Sequence, residues 1–410
     1  MKINTMFDKI LIFCLEIGFG ITFNIIGTIS LSEIFLLGAT ALYIKRDLFV
    51  QYAALKKITW LYIGLLASQI VSELIIRNTL SNSLKGFAVT IVSYLHFVFL
   101  FSCFVKDRKL VIYAILGFVF KEFIFSSDVG ESDLTEVVDG EGAMYLKFYL
   151  APLLINIALF ISIFISKKTA SVMCLLLGLS FIVLGARSSG VMILLAGLIG
   201  FIVIHTKKKV NLKTTVAISL ITILVGYGLF VVYVNNVLND RITAGNSAQL
   251  KEASNPYNPI NLLIMGRTEI FIGWMAFMDK PLFGNGAWAT DVTGKYTALY
   301  TVFRNGDSGD TSNEMGIIPC HSVLVGVGMQ NGIFAFLCMG AILLFFIKRG
   351  LLSFDKNDPY LFLIVYFLMS IFWNGVFSPV SHFRLTLPLW FAFIFSSSVN
   401  HKKNVVNNVS

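Results

Sequence analysis

Four basic side chains stand where an anion could be held. Arg187 lies in the run GARSSG and Arg267 in MGRTE, His321 follows Pro319 and Cys320, and Arg384 follows His382. Each marks the edge of an apolar or amphipathic run, so each is expected close to the first turn of a helix. The leading N–H groups of a helix have no partner within it and carry a partial positive charge of about half a unit. An arginine added there makes a phosphate or diphosphate site, because its planar fork holds two oxygens at once. Histidine serves another purpose: with an unperturbed pKa of about 6.5 it can take a proton from a hydroxyl near neutral pH. Each has a plainer alternative. Arg187 can snorkel to an interface, Arg267 can be a solvated loop charge, His321 a structural histidine and Arg384 an interfacial anchor.

The elements that position them follow from composition. Of 410 residues, 56% are hydrophobic and 13% charged, which leaves too little polar surface to cover a water-soluble globule. Apolar runs recur at 10–26, 29–44, 58–76, 86–105, 110–126, 146–166, 169–184, 188–205, 214–234, 320–347, 359–375 and 383–398. Each is near the length of ~20 residues that a helix needs to cross a hydrocarbon core, and none has the alternation of a membrane barrel. The fold expected is therefore an all-α polytopic membrane protein of about twelve transmembrane helices. Two junctions are delicate: the first two runs are separated only by Gly27, Ser30 and Ser32, and another pair meets at Arg187.

Charge orients the bundle. With the N-terminus inside, 20 of the 32 Lys and Arg fall on cytoplasmic segments, beside only five acidic residues. The net +15 there against −6 elsewhere accounts for the formal +9 and puts both termini in the cytoplasm. The basic balance thus implies anionic lipid as the partner, with no call for nucleic acid. Lys2, Lys9 and the first run resemble a signal peptide, but Glu16 interrupts them and no small-residue cleavage site follows, so a retained helix is expected.

The two faces differ. Cytoplasmic loops are short, whereas one periplasmic segment, 235–319, runs for about 85 residues, a length improbable unless functional. Inside it, Ile270, Phe271, Trp274, Met275 and Met278 repeat at helical spacing, predicting an amphipathic helix over about 266–280 that lies on the interface or packs on the bundle. Pro281 and the Gly284–Asn285–Gly286 turn should end it. A smaller loop, 127–145, is rich in Asp and Glu without calcium-ligand spacing. Cys320 beside His321 is a poor nucleophile candidate, since neighbours at a helix start point about 100° apart. The histidines, His96, His205, His321, His382 and His401, are too scattered for a metal site. Glu16, Glu33 and Glu73, in or beside apolar runs, can form a proton path or pair with an arginine.

Taken together, these stretches resemble the O-antigen ligase and polymerase superfamily. GRTEIFIGWMAFMDKPLFGNG from Gly266 is similar to its Arg…Trp…Pro-x-x-Gly-x-Gly signature, HSVLVGVGMQNGIFAFL from His321 to its histidine followed by a glycine-bearing span, and GARSSG to its Ser/Thr-Arg-Gly element with Ala186 before the arginine. The resemblance covers roughly 60 residues. It implies a GT-C-like glycosyltransferase of the bacterial inner membrane that uses undecaprenyl-diphosphate-linked glycans without metal or nucleotide cofactor, and a chain-length regulator protein as a partner. It also implies that Arg187 and Arg267 hold the diphosphate and that His321 acts on the acceptor hydroxyl. Within that reading Arg384 is a further phosphate contact, and Trp288, Tyr296, Tyr300 and Phe303 are candidates to stack on sugar faces or to pack. Cys320 and Ser322 flank His321 where ligases commonly have a second His or an Asn, which favours polymerase over ligase. A lipid-linked glycan flippase is the rival from another class, and it should carry charges through the depth of its bundle and internal repeats.

Overall fold

The computed structural model describes residues 5–24, 27–43, 46–125, 150–205, 212–239, 255–259, 267–303 and 316–407. The acidic loop 127–145 and, within the large loop, residues 240–254, 260–266 and 304–315 lie outside them. Among the described residues there are sixteen helices and a single two-stranded hairpin. Each of the twelve apolar runs carries a helix. Among the described residues, four helices are long and apolar enough to cross a membrane: α4 (Ala53–Ile76), α5 (Leu80–Phe104), α9 (Arg187–His205) and α13 (Val323–Leu351). Their outward residues are apolar too, with Trp60 70%, Leu74 73% and Leu344 67% exposed, a surface suited to lipid and costly in water. The chain is a membrane-associated helical protein.

Both delicate junctions separate into two helices. The first run does not stay helical to residue 26. Helix α1 (Thr5–Gly18) stops, β1 (Thr22–Asn24) pairs antiparallel with β2 (Thr28–Ser30), and α2 (Leu31–Tyr43) follows. Thr22, Phe23, Thr28 and Ile29 favour the extended form, and Gly27 takes φ +90°, which the tight turn needs. Ser30 and Glu33 then form a reciprocal cap: the Ser30 N–H donates to the Glu33 carboxylate at 2.7 Å and the Glu33 N–H to Ser30 Oγ at 3.3 Å. At the second junction, α8 (Lys167–Val183) ends, Gly185 adopts φ +95° and α9 starts at Arg187.

The residues group into two compact units, Met1–Gly20 with Lys109–Leu262 and Gly350–Ser370, and Ile21–Arg108 with Leu263–Arg349 and Ile371–Ser410. In the first, α8 and α9 touch along small residues. A Cβ on Gly178 would lie 2.5 Å from Leu194 Cβ, and one on Gly190 would lie 2.8 Å from the Gly178 carbonyl oxygen. Helix α10 (Leu212–Leu238) brings Tyr233, Val234 and Val237 into a small core.

In the second unit, α5 is the central helix. Phe97 on it packs with Phe346 of α13, Phe97 and Phe101 pack with Phe395 of the last helix, α16 (Leu387–Asn407), and Phe346 stacks on Phe391 at 4.0 Å. The shorter elements of the second unit are α11 (Thr268–Asp279), α12 (Lys295–Phe303), the C-terminal part of α14 (Leu361–Phe377) and α15 (Ser381–Leu385). Helix α11 falls in the segment predicted as amphipathic, but the face it buries is Ile272, Gly273, Ala276 and Phe277. The predicted stripe looks outward, with Phe271, Trp274, Met275 and Met278 37–56% exposed.

Candidate functional site

Arg267 sits immediately before α11 with its guanidinium over the Trp373 ring, 5.8 Å from the centroid. Half-burial pushes its pKa down from the ordinary arginine value, and the charge of Glu269 partly opposes this. The group stays cationic, since arginine keeps its proton in proteins, and it makes no hydrogen bond to a described residue. Its surroundings connect it to His321. Helix α11 presses Gly273 against Cys320, where a Cβ would lie 2.4 Å from Sγ. The Tyr300 hydroxyl donates to Glu269 Oε1 at 3.1 Å. Ser322 caps α13, accepting from the Val325 N–H at 3.1 Å, and its hydroxyl reaches the Gly375 carbonyl at 3.5 Å. Trp373 and Gly375 are neighbours on α14, so one helix end carries the partner of Arg267 and the partner of the helix cap beside His321. His321 is exposed, while the thiol of Cys320 is turned against α11.

The Pro281–Gly286 loop does structural work beneath this corner. Helix α13 breaks at Gly332, whose φ of +80° and ψ of −173° are non-helical. A break frees helix carbonyls, which must find other donors. The N–H groups of Asn285 and Gly286 donate to the carbonyls of Met329 and Gln330, both at 2.8 Å, and the Ile333 N–H donates to the Pro281 carbonyl at 2.7 Å. Helix α4 holds the loop from the other side. Glu73 accepts from the Ala287 N–H and the Ser83 hydroxyl, both at 2.6 Å, and the Ser72 hydroxyl donates to the Phe283 carbonyl. This fixes the direction of the helix that starts beside His321.

Arg187, in the first unit, opens α9 with its guanidinium 4.9 Å from the centroid of the Tyr233 ring. Its Nε and Nη2 are buried, and among the described residues the Tyr233 hydroxyl is the polar group they act on, without a hydrogen bond of good geometry. Buried donors left unmade are costly, and a charged one more so. An arginine held this way gains most from an anionic ligand.

The remaining predicted contacts divide. Tyr296 is buried among Ile272, Phe277, Ile318 and Met329, with its hydroxyl 2.6 Å from Asp279 Oδ2, so its ring faces serve packing and not a sugar. Tyr300 packs against the same cluster, and the Phe303 side chain lies outside the described residues. Trp288 and Arg384 line a common cavity of about 780 Å³. Arg384 Nε pairs with the buried Glu33 Oε1 at 2.6 Å, and Nη2 donates to the Thr28 carbonyl at 3.0 Å. Removing the arginine alone strands a buried carboxylate, at a cost of about 3–5 kcal/mol. Arg384→Ala should therefore lower the melting temperature of the purified protein markedly, and Glu33→Gln added to it should restore much of the loss. Equal melting of Arg384→Ala and wild type would reduce the pair to a surface contact.

Compared with known proteins, the chain matches no protein-family model and no curated sequence. The site thus rests on its own geometry. Sequence reasoning passed over Glu269, which sits between Arg267 and Tyr300, although it stands in the quoted MGRTE run. It also passed over Lys85, a lysine that the charge count leaves on the periplasmic side with the arginines, and that same anomaly would have found it. No local signal marks Glu73 as the clamp on Ala287, since its partner lies far along the chain.

Proposed function

We propose that the chain is an O-antigen polymerase, a twelve-span inner-membrane glycosyltransferase with both termini in the cytoplasm, joining undecaprenyl-diphosphate-linked repeats at the periplasmic face. The observation that carries this reading is the corner of the second unit in which a half-buried Arg267, stacked on Trp373 and without a hydrogen-bonded partner among the described residues, adjoins the element bearing an exposed His321. The acceptor's terminal hydroxyl attacks the anomeric carbon of the donor glycan. The bond from that carbon to the diphosphate oxygen breaks, and undecaprenyl diphosphate leaves with the bonding electrons. Arg267 neutralises charge developing on the leaving diphosphate, in an environment already organised for it. His321 receives the hydroxyl proton or orients the hydroxyl. Arg187, buried over the Tyr233 ring, is the other arginine that the motif resemblance assigns to diphosphate. The absence of a second His or an Asn beside His321 favours polymerase over ligase.

The test is the lipopolysaccharide of a deletion strain. Loss of the polymerase leaves core plus one repeat and no ladder. Loss of a ligase removes the single-repeat band as well, while polymer accumulates on its lipid carrier. Repeats trapped on the cytoplasmic leaflet identify a flippase, and an intact ladder in a strain with no second polymerase removes the reading. His321→Ala at unchanged membrane level should reproduce the deletion pattern.

A further inference from the structure

The cavity of about 780 Å³ in the second unit shares no lining residue with the Arg267–His321 corner. Its walls come from the hairpin at Thr28, the start of α5 at Asn82 and Lys85, the loop at Trp288, and α15 at Ser381 and Arg384. Its size is that of a small-ligand site. Its chemistry is one-sided: the lining holds two cations, hydroxyls and an amide, and no carboxylate. The two cations differ in freedom. Arg384 is held by Glu33 and Thr28, a preset charge, whereas Lys85 has its methylenes on Gly27, lies 6.0 Å from the Trp288 ring centroid and makes no hydrogen bond or ion pair with a described residue. A lysine ammonium serves a phosphate as a mobile point charge.

Trp288 is the second observation. It is one of two non-glycine residues with positive φ among the described residues, at φ 55°. A bulky residue in the left-handed region is strained, and such strain persists where the surrounding fold imposes it and clusters at ligand sites. The ring so placed is 38% exposed and lines the cavity with Lys85 beside it, an aromatic platform next to a cation.

We propose that this cavity is a second binding site for a lipid-linked glycosyl diphosphate, the acceptor repeat, with Lys85 and Arg384 on the diphosphate and Trp288 on the first sugar. The assignment to the acceptor rests on the polymerase reading, in which two lipid diphosphates must bind at once and Arg267 serves only the donor. The segments lining the cavity all fall on the side that the charge count assigns to the periplasm.

The test is native mass spectrometry of the purified full-length protein with undecaprenyl diphosphate, with undecaprenol as the uncharged control and inorganic pyrophosphate as competitor. Wild type should hold two lipid diphosphates. Lys85→Gln and Arg267→Ala should each hold one, the double variant none, and Lys85→Arg two. Pyrophosphate should displace the Lys85-dependent lipid, which shows that the headgroup is what binds. Unchanged stoichiometry in Lys85→Gln overturns the proposal. So does an equal loss of undecaprenol, or a cavity that takes pyrophosphate but no lipid. Failure of the two ideas is separable. If the deletion strain keeps its ladder while Lys85→Gln still loses one lipid, the polymerase reading falls and the diphosphate site stands. If the ladder requires this chain and Lys85→Gln keeps both lipids, the site falls and the polymerase reading stands.

Discussion

Arg267→Lys should abolish polymer formation almost as completely as Arg267→Ala, each lowering the initial rate of ladder synthesis by about a hundredfold or more. Lysine keeps the charge but loses the planar fork that can hold two diphosphate oxygens and the flat surface that lies on Trp373. It also brings a new competitor into play. Glu269 already acts on the Arg267 charge, and a flexible ammonium is free to turn to that carboxylate, whereas the stacked guanidinium is held over the ring. The measurement is ladder synthesis in membranes carrying matched amounts of each variant. Near-normal synthesis by Arg267→Lys would reduce this residue to a point charge and take the bidentate role away.

Much of the helical layout was legible because each apolar run is long enough to require a helix, whatever its neighbours do. Faces and breaks were less so. Helix α11 is apolar on nearly every side, and periodicity alone selected Phe271, Trp274, Met275 and Met278 while the structure buries Ile272, Ala276 and Phe277. Two apolar faces are what a helix needs when it packs on protein with one and meets lipid with the other, and a hydrophobic pattern cannot say which is which. The hairpin at 22–30 was missed because Phe23 and Ile29 continue the apolar run; only Gly27 and the threonines mark the turn. Arg187, Arg267 and His321 drew attention because the charge count leaves them off the segments expected in the cytoplasm. Tyr296 looked like a sugar platform because aromatic composition does not reveal burial. Lys85 carries the same charge anomaly in the sequence, and the fold adds the Trp288 ring beside it.

The break in α13 is the feature that sequence concealed most fully, and it gives the second large effect. Three glycines fall between Val325 and Ile333, namely Gly326, Gly328 and Gly332, with Gly340 further on, and of these four only Gly332 has positive φ. Its φ of +80° with ψ of −173° lies in a region essentially reserved for glycine. A Cβ there would stand 2.1 Å from the Leu282 carbonyl oxygen and 2.7 Å from the Phe283 nitrogen, both backbone atoms that no rotamer change can move aside. Gly332→Ala should therefore straighten the helix or expel the Pro281–Gly286 loop. Either outcome gives up the bonds to Met329, Gln330 and Pro281 and turns the helix start beside His321. The expected cost is ~3 kcal/mol or more, read as a fall in melting temperature together with loss of the ladder. Gly340→Ala is the matched control. It lies in the same helix with its nearest neighbour, Leu324 Cδ1, at 3.8 Å, and it should be neutral or slightly stabilising, since alanine is the better helix former. Equal behaviour of the two variants would mean that the break does not set the direction of the helix carrying the site.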